Sequence, residues 1–516
     1  MTRFSYVAGD WVATDGDSVE DLVPTALEHA RTVGLPGVAR LTFHDRARLV
    51  LRLAEHLNRN SDSLYRLSAE EGATRRDAQR DIEGAPGAMR HLAEAALRDL
   101  SDSTAAADGP LESPGPGEGP ARMVGQHLYV STNGVGILVN ELNFLLWGSA
   151  ARVTPAFLAG VPLIVRPARQ TSSVAAELTR LIVDSKIMPP GNLQLLNGQT
   201  ETFWDYLKFG DHVFFTGSSR TGLRLAKQPK VMSGRVRLTL ATESVNAAVL
   251  GPADAPGTPV FEALVRCVAR EMTNNAGQTC TAIRRVLVPR PLLKSFAEAL
   301  CHYLDRTVVL GDPADLATTM GPLADHDQLR RLNRQVKELI TFGGRVVRGG
   351  GKARNLTGPY YEPTVLVFDQ PSTVFCDVEP FGPVVSIACY ETPADAIRLS
   401  NDGGKSLVIT VASSDFGFLA QVARGVAPYH DRVHLLDGSV AGAKPPRLLS
   451  PGGPTGHCGS EELSGVRSIR HWMHRVAIEG APGAVKRLTG PTVKRGAAEP
   501  AAVEDAASRP ARTSRL

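Results

Sequence analysis

The sequence predicts an α/β protein built from two units, and three observations predict it. From Pro162 onward, short apolar runs alternate with helical patterns. Residues 163–165, 193–196 and 212–215 read as strands, 174–183 reads as a helix, and a second helix opens after Thr216-Gly217-Ser218. Such alternation implies a parallel sheet with helices on both faces. A second α/β unit starts near Pro252, with helices at 289–303 and 329–340 and strands at 344–347 and 384–388. Finally, 516 residues with 43% apolar content suffice for two or three domains with large cores.

The elements follow in order. Ala47, Val50, Leu53, Ala54 and Leu57 recur at helical spacing. Polar helix formers continue over 70–82, Gly84-Ala85-Pro86-Gly87 predicts a break, and 89–100 resumes the helix. The stretch 105–121 is rich in Pro and Gly and reads as a loop. Strands are expected at 123–130 and 135–139, and Asn133-Gly134 between them is a hairpin signal. The segment after Ser450 is Gly-rich, and an apolar strand is expected near 473–478. From about Gly480 large apolar residues are scarce, which predicts a disordered tail.

Composition excludes several classes. No run of about 18 apolar residues is present, so no membrane span is expected. Met1-Thr2-Arg3-Phe4-Ser5 lacks the apolar core of a signal peptide. The six cysteines are scattered without CxxC spacing, which argues against a zinc site or disulfide framework and for a reducing cytoplasm. The net charge of +4 equals the excess of seven basic over three acidic residues from position 481 on. The body before that is neutral, and nothing in it calls for nucleic acid.

The stretch with most chemistry is Asn274-Asn275-Ala276-Gly277-Gln278-Thr279-Cys280-Thr281-Ala282-Ile283-Arg284-Arg285. One cysteine sits among small and polar residues, and an apolar strand follows at once. Gly277 lets the backbone pass close to a ligand. Nearby amides and Asn side chains are suited to a developing oxyanion, and a thiolate is a natural nucleophile for an aldehyde or thioester. A lone cysteine is otherwise a small buried hydrophobe. Phe215-Thr216-Gly217-Ser218-Ser219-Arg220-Thr221-Gly222 ends a strand and opens a helix, as a pyrophosphate site does. Gly-rich strand-to-helix turns are also common without ligands.

Together these segments resemble the aldehyde dehydrogenase superfamily, in which Gly-Gln-x-Cys carries the nucleophile. The resemblance spans roughly residues 5–480. It implies the aldehyde dehydrogenase fold: a cofactor domain (1–120 and 141–252), a catalytic domain (253–440), an active-site-closing segment (441–465), oligomerisation strands (121–140 and 466–480) and a tail (481–516). In that family Phe-Thr-Gly-Ser contacts a nicotinamide cofactor, which here implicates Thr216, Gly217, Ser218 and Gly222. Val165-Arg166-Pro167-Ala168-Arg169 is similar to the family's Lys-Pro-Ala segment at the adenosine ribose. NAD-dependent members often carry an acid where Arg169 stands. Two arginines suit a 2′-phosphate, so NADP is expected, with NAD as the alternative. The alternative reading of Arg166 and Arg169 is a pair of solvated surface arginines.

Glu379-Pro380-Phe381-Gly382-Pro383 matches the signature whose Glu holds the nicotinamide ribose and whose Phe packs beside the ring; alone it is a turn with an acid and an aromatic. Asn143-Phe144 matches Asn-Phe-Pro, with Leu145 for the proline. The resemblance implies that Asn143 and the Cys280 N–H form the oxyanion hole. The family's general-base glutamate falls on Ala241, and alanine cannot transfer a proton. Glu243, two residues on, and Glu462, in Ser460-Glu461-Glu462-Leu463, are the acids available to replace it; each is equally read as a structural or solvated acid.

Asp81-Ile82-Glu83-Gly84, the Cys280 stretch and Gly459-Ser460-Glu461-Glu462-Leu463 look like one small branch. It contains the aldehyde dehydrogenase part of the ring-opening protein of phenylacetate degradation and 3,4-dehydroadipyl-CoA semialdehyde dehydrogenase. The resemblance implies an aldehyde substrate, possibly carried on a coenzyme A thioester, and a homodimer or higher homo-oligomer. Other readings stay open: transfer of the acyl group to a thiol, thioester reduction, or a catalytically weak protein kept for binding.

Overall fold

A computed structural model describes residues 3–14, 18–112, 123–140, 145–200, 202–404, 406–440 and 465–489. The strands, in chain order, are β1 (Arg3–Val7), β2 (Asp10–Thr14), β3 (Ala106–Glu112), β4 (Val124–Ser131), β5 (Gly136–Val139), β6 (Leu163–Arg166), β7 (Leu193–Leu195), β8 (His212–Thr216) and β9 (Arg237–Ala241). They continue as β10 (Asn246–Leu250), β11 (Ile283–Pro289), β12 (Arg345–Arg348), β13 (Thr364–Phe368), β14 (Val384–Tyr390), β15 (Val408–Ala412), β16 (Arg432–Leu436) and β17 (Met473–Gly480).

The first sheet has the order β2-β1-β7-β6-β5-β8-β9, and β7 through β9 run parallel. Its strands are apolar on both faces. Val213 and Phe215 pack with Val23 and Leu27 on one side, while Phe214 packs with Leu138 and Leu146 on the other. Successive side chains alternate across a strand, so a continuous apolar run serves a sheet covered twice. The second sheet has the order β12-β13-β14-β11-β10-β15-β16 and is parallel except for β12. Leu287 faces one layer there and Val286 and Val288 the other. The third sheet is small and antiparallel, β17-β4-β3, with an eight-residue register from Met473↔Ser131 to Gly480↔Val124.

Four expectations are corrected. Asn133-Gly134 does not close a hairpin: β4 belongs to the small sheet and β5 to the first sheet. Asn133 has φ 55°, and a Cβ on Gly134 would overlap the Gly210 carbonyl. The pair lets the chain pass between sheets against another backbone. The loop expected at 105–121 contains β3, which pairs with β4 through an irregular register around Gly109-Pro110. β3 is an edge strand, where a proline's missing N–H is tolerated. The break expected at 84–87 is absent, because one helix runs Arg75–Asp99 with Pro86 inside. Ala85 and Pro86 are buried, and Gly84 packs on the Trp147 ring. Tertiary packing overrides the local propensity there. Within the expected tail, Pro482–Thr489 is a helix with Val485 buried. Among the described residues, no helix is long and apolar enough to cross a membrane.

Candidate active site

The helix Pro259–Thr273 ends in a loop that reverses the chain. Asn275, Ala276 and Gly277 take φ values of 47°, 51° and 71° in succession. A left-handed residue other than glycine costs roughly 1–2 kcal/mol, so the surroundings must hold Asn275 and Ala276 in place. They do. Asn275 N–H donates to Asp77 Oδ1 at 3.0 Å. Gln278 Nε2 donates to the Asn275 carbonyl at 3.1 Å, and Gln278 Oε1 accepts from Ala324 N–H at 3.0 Å. A Cβ on Gly277 would overlap the Gly382 carbonyl, which explains the glycine.

Cys280 follows and is exposed, and none of the described cysteines is in a disulfide. Its backbone is fixed from both sides. Asn246 Nδ2 donates to the carbonyls of Cys280 and Ala282 at 2.8 and 2.9 Å. Arg284 Nη2 donates to the Thr279 carbonyl at 3.2 Å. Sequence reading did not single out Asn246, Asp77 or Arg284 for this loop. The one available signal was Arg284-Arg285, two cations opening an apolar strand.

The Glu379–Pro383 turn lies behind the loop. Glu379 is only 4% exposed. Its Oε1 is 3.2 Å from Arg284 Nη2, and its Oε2 accepts from Ser244 N–H at 3.0 Å. Burial raises the Glu379 carboxyl pKa against the pull of Arg284. The Arg284 guanidinium lies 5.5 Å from the Phe381 ring centre. Glu379 is thus paired internally in this state, and Phe381 shares its partner.

The other candidates lie at or just beyond the carboxyl ends of strands in the first sheet. β6 ends at Arg166, whose Nε donates to the Gly198 carbonyl at 3.2 Å, and Arg169 is exposed on the turn beyond. β8 ends at Thr216, opposite Ala241 on β9. A Cβ on Gly217 would be 2.6 Å from the Phe215 ring. Ser218 caps the helix Ser219–Ala226 by accepting from Thr221 N–H, and Gly222 fits against Leu240 and Thr242. Glu243 lies past the end of β9. Its Oε2 accepts from Ser219 N–H at 2.9 Å, and its Oε1 pairs with Arg331 at 2.9 Å. Burial would raise the Glu243 pKa, but the Ser219 hydrogen bonds and Arg331 outweigh it and leave a net downward shift. Asn143 and Glu462 lie outside the described residues.

Contacts across the two units close the site. Asp77 reaches Asn275, Glu243 reaches Arg331, and Gln170 Nε2 donates to Asp325 Oδ2 at 2.6 Å. A cavity of about 60 Å³ beside the loop is lined by Ser68, Glu71, Asp81, Thr171, Asn275 and Gln278, among others. Glu71 accepts from Ser173 and Val174 N–H at 2.8 and 3.2 Å, and burial pushes its carboxyl up to about 7. Asp81 accepts from Leu146 and Trp147 N–H and fixes the start of the helix Leu145–Ala159. Neither acid had a role assigned from sequence.

Residues 5–427 match the sequence model of the aldehyde dehydrogenase family. The chain belongs to that family. Among its relatives, 3,4-dehydroadipyl-CoA semialdehyde dehydrogenase of Aromatoleum evansii is 32% identical over 493 residues, covering 85% of this chain and 89% of that protein. The solved lactaldehyde dehydrogenase of Escherichia coli superposes with a TM-score of 0.79 at 20% identity, covering 93% of this chain and 99% of that one. A solved indole-3-acetaldehyde dehydrogenase in complex with NAD+ gives a TM-score of 0.79 at 23% identity, covering 93% of each chain. As an aldehyde dehydrogenase family member, the chain has the expected two-unit α/β fold. Family membership makes it an oxidoreductase acting on aldehydes with NAD or NADP.

Proposed function

We propose that this aldehyde dehydrogenase oxidises a semialdehyde carried on coenzyme A, prefers NADP, and lacks the usual strand-borne base for releasing its product. One observation supports the reading above all: Cys280 is exposed on a loop whose strained backbone is held by Asp77, Asn246 and Arg284. A group held in one geometry before substrate arrives is what covalent catalysis requires.

The residues at the ends of β6 and β8 fit a nicotinamide dinucleotide. Arg166 and Arg169 offer guanidinium donors, and Gly217 leaves a cradle that any Cβ would close against Phe215. Glu379 would grip the nicotinamide ribose and Phe381 would pack beside the ring. When bound, the nicotinamide accepts the hydride.

The chain's own residues do the rest. The Cys280 sulfur adds to the aldehyde carbon, and the Cys280 N–H with Asn143 holds the resulting oxyanion. Loss of hydride leaves a thioester on Cys280. Water then adds, the C–S bond breaks, and acid and thiolate separate with release of a proton. Ala241 provides no acceptor for that proton. Glu243 is held by Ser219 and Arg331, which makes it a weak base. Glu462 is the remaining candidate. The same alanine favours a second outcome, in which a thiol such as coenzyme A takes the acyl group. Incubation with NADP or NAD and a panel of aldehydes, with and without coenzyme A, tests both. Aldehyde-dependent NADPH formation is expected; no reduced cofactor with any aldehyde would refute the proposal.

The small sheet is proposed to join subunits into a homodimer or larger homo-oligomer. β17 forms one edge of that sheet, opposite β3. A strand edge of this kind is ready to pair with another chain.

A further inference from the structure

A buried cation sits behind Cys280. Arg284 is the second residue of β11 and is 1% exposed. The β10–β11 register slips there: Asn246 opposes Ile283, while Ala247 opposes Arg285. Arg284 is the extra residue of that irregularity, a device that re-aims one side chain out of the regular ladder. Arg285 turns the other way, donating to the carbonyls of Val245, Leu399 and Ser400. Arg284 donates from Nη1 to the Gly382 carbonyl at 2.9 Å, and from Nη2 to the Thr279 carbonyl and Glu379 Oε1, both at 3.2 Å. Its Nε is buried and has no partner among the described residues.

Two consequences follow. The Thr279 carbonyl belongs to the same peptide group as the Cys280 N–H. A charged donor on that oxygen polarises the peptide and strengthens the N–H as a donor. The guanidinium also lies within the field of the Cys280 side chain: burial lowers the Arg284 pKa, while Glu379 first and Cys280 after it raise it. The attraction is mutual and favours the thiolate. Glu379 competes for the same charge. Burying such a pair is a poor way to gain stability, so its position behind the nucleophile calls for another reason.

We infer that Arg284 is a positioning residue for the nucleophile, its buried charge shared between Glu379 and the Thr279–Cys280 peptide and setting how reactive Cys280 is. The inference rests on the reading of Cys280 as nucleophile, but its test needs neither aldehyde nor cofactor. Among the described residues, the titratable groups around Arg284 are Glu379 on the turn before β14, Cys280 itself, and beyond them Glu243 with Arg331.

The test is alkylation of the cofactor-free protein by iodoacetamide across pH, with the Cys280 peptide followed by mass spectrometry. Arg284→Met should move the half-alkylation pH upward by about one unit, slowing reaction at pH 7 about tenfold. Glu379→Gln should move it downward, because the guanidinium is no longer shared. Arg284→Lys, which keeps the charge and loses the fork, should fall between parent and Met. The double variant Arg284→Met/Glu379→Gln removes both buried charges. It guards against a single variant that fails to fold, and its midpoint should rise by less than that of Arg284→Met. A folded Arg284→Met with the parent profile, or a double variant with the same midpoint as Glu379→Gln, would overturn the inference. So would Glu379→Gln and Arg284→Met shifting in the same direction.

Discussion

Cys280 and Ala241 divide the proposed reaction between them. Cys280→Ser should lower turnover by at least about a thousandfold while the melting temperature stays near that of the parent, since a neutral hydroxyl without a strong base is a poor nucleophile. Undiminished turnover in that variant would contradict the assigned role. Ala241 ends β9 beside Thr216 at the end of β8. Ala241→Glu should raise the steady rate if its carboxylate reaches the water, because base assistance is typically worth ~10²–10⁴. Glu243→Gln should leave that rate within about twofold, as its carboxylate is already committed to Ser219 and Arg331. Glu71 offers a test of a different kind. Its pKa is raised by burial to about 7, above the unfolded value, so the folded state holds the extra proton between the two. Stability from this group is therefore full at low pH and falls as pH rises towards 7. Glu71→Gln should be more stable than the parent at pH 8, on the order of 3 kcal/mol, with the difference gone near pH 4. Equal melting of the two proteins at both pH values would contradict the assignment.

At the scale of elements, the parallel sheets were legible because buried strands announce themselves as apolar runs between helical patterns. The strand expected at 212–215 and the helix expected at 329–340 appear as His212–Thr216 and His326–Thr341. Helix 75–99 was not legible, because a Gly-Ala-Pro-Gly stretch reads locally as a break. Its continuation depends on Trp147 and neighbours far along the chain. The Asn133-Gly134 turn misled for the same reason: a glycine that avoids a distant backbone looks in sequence like one that serves a hairpin. At the end of β6, Arg166 and Arg169 carry the proposed preference for NADP. Arg169→Glu should reverse the ratio of kcat/KM for NADP and NAD in favour of NAD. A parent enzyme that already works better with NAD would remove the basis for that role.

At the scale of the whole molecule, the site lies where the carboxyl ends of one sheet meet the loops that lead into the other. Asp77–Asn275, Glu243–Arg331 and Gln170–Asp325 tie the two units together there. The motif residues were readable in sequence, but what holds them was not. Arg284 and Asn246 act through distant backbone carbonyls that no local pattern reveals. Among the described residues β17 is an edge strand, which predicts self-association, and light scattering at micromolar concentration should report a dimer or larger; a monomer would count against the role proposed for the small sheet. The central claim is that Cys280 is acylated quickly and released slowly because Ala241 supplies no base. Rapid mixing of enzyme, NADP and aldehyde tests this directly. A burst of about one NADPH per active site, followed by a slow steady phase, is the predicted result. Fast linear turnover without a burst would contradict it.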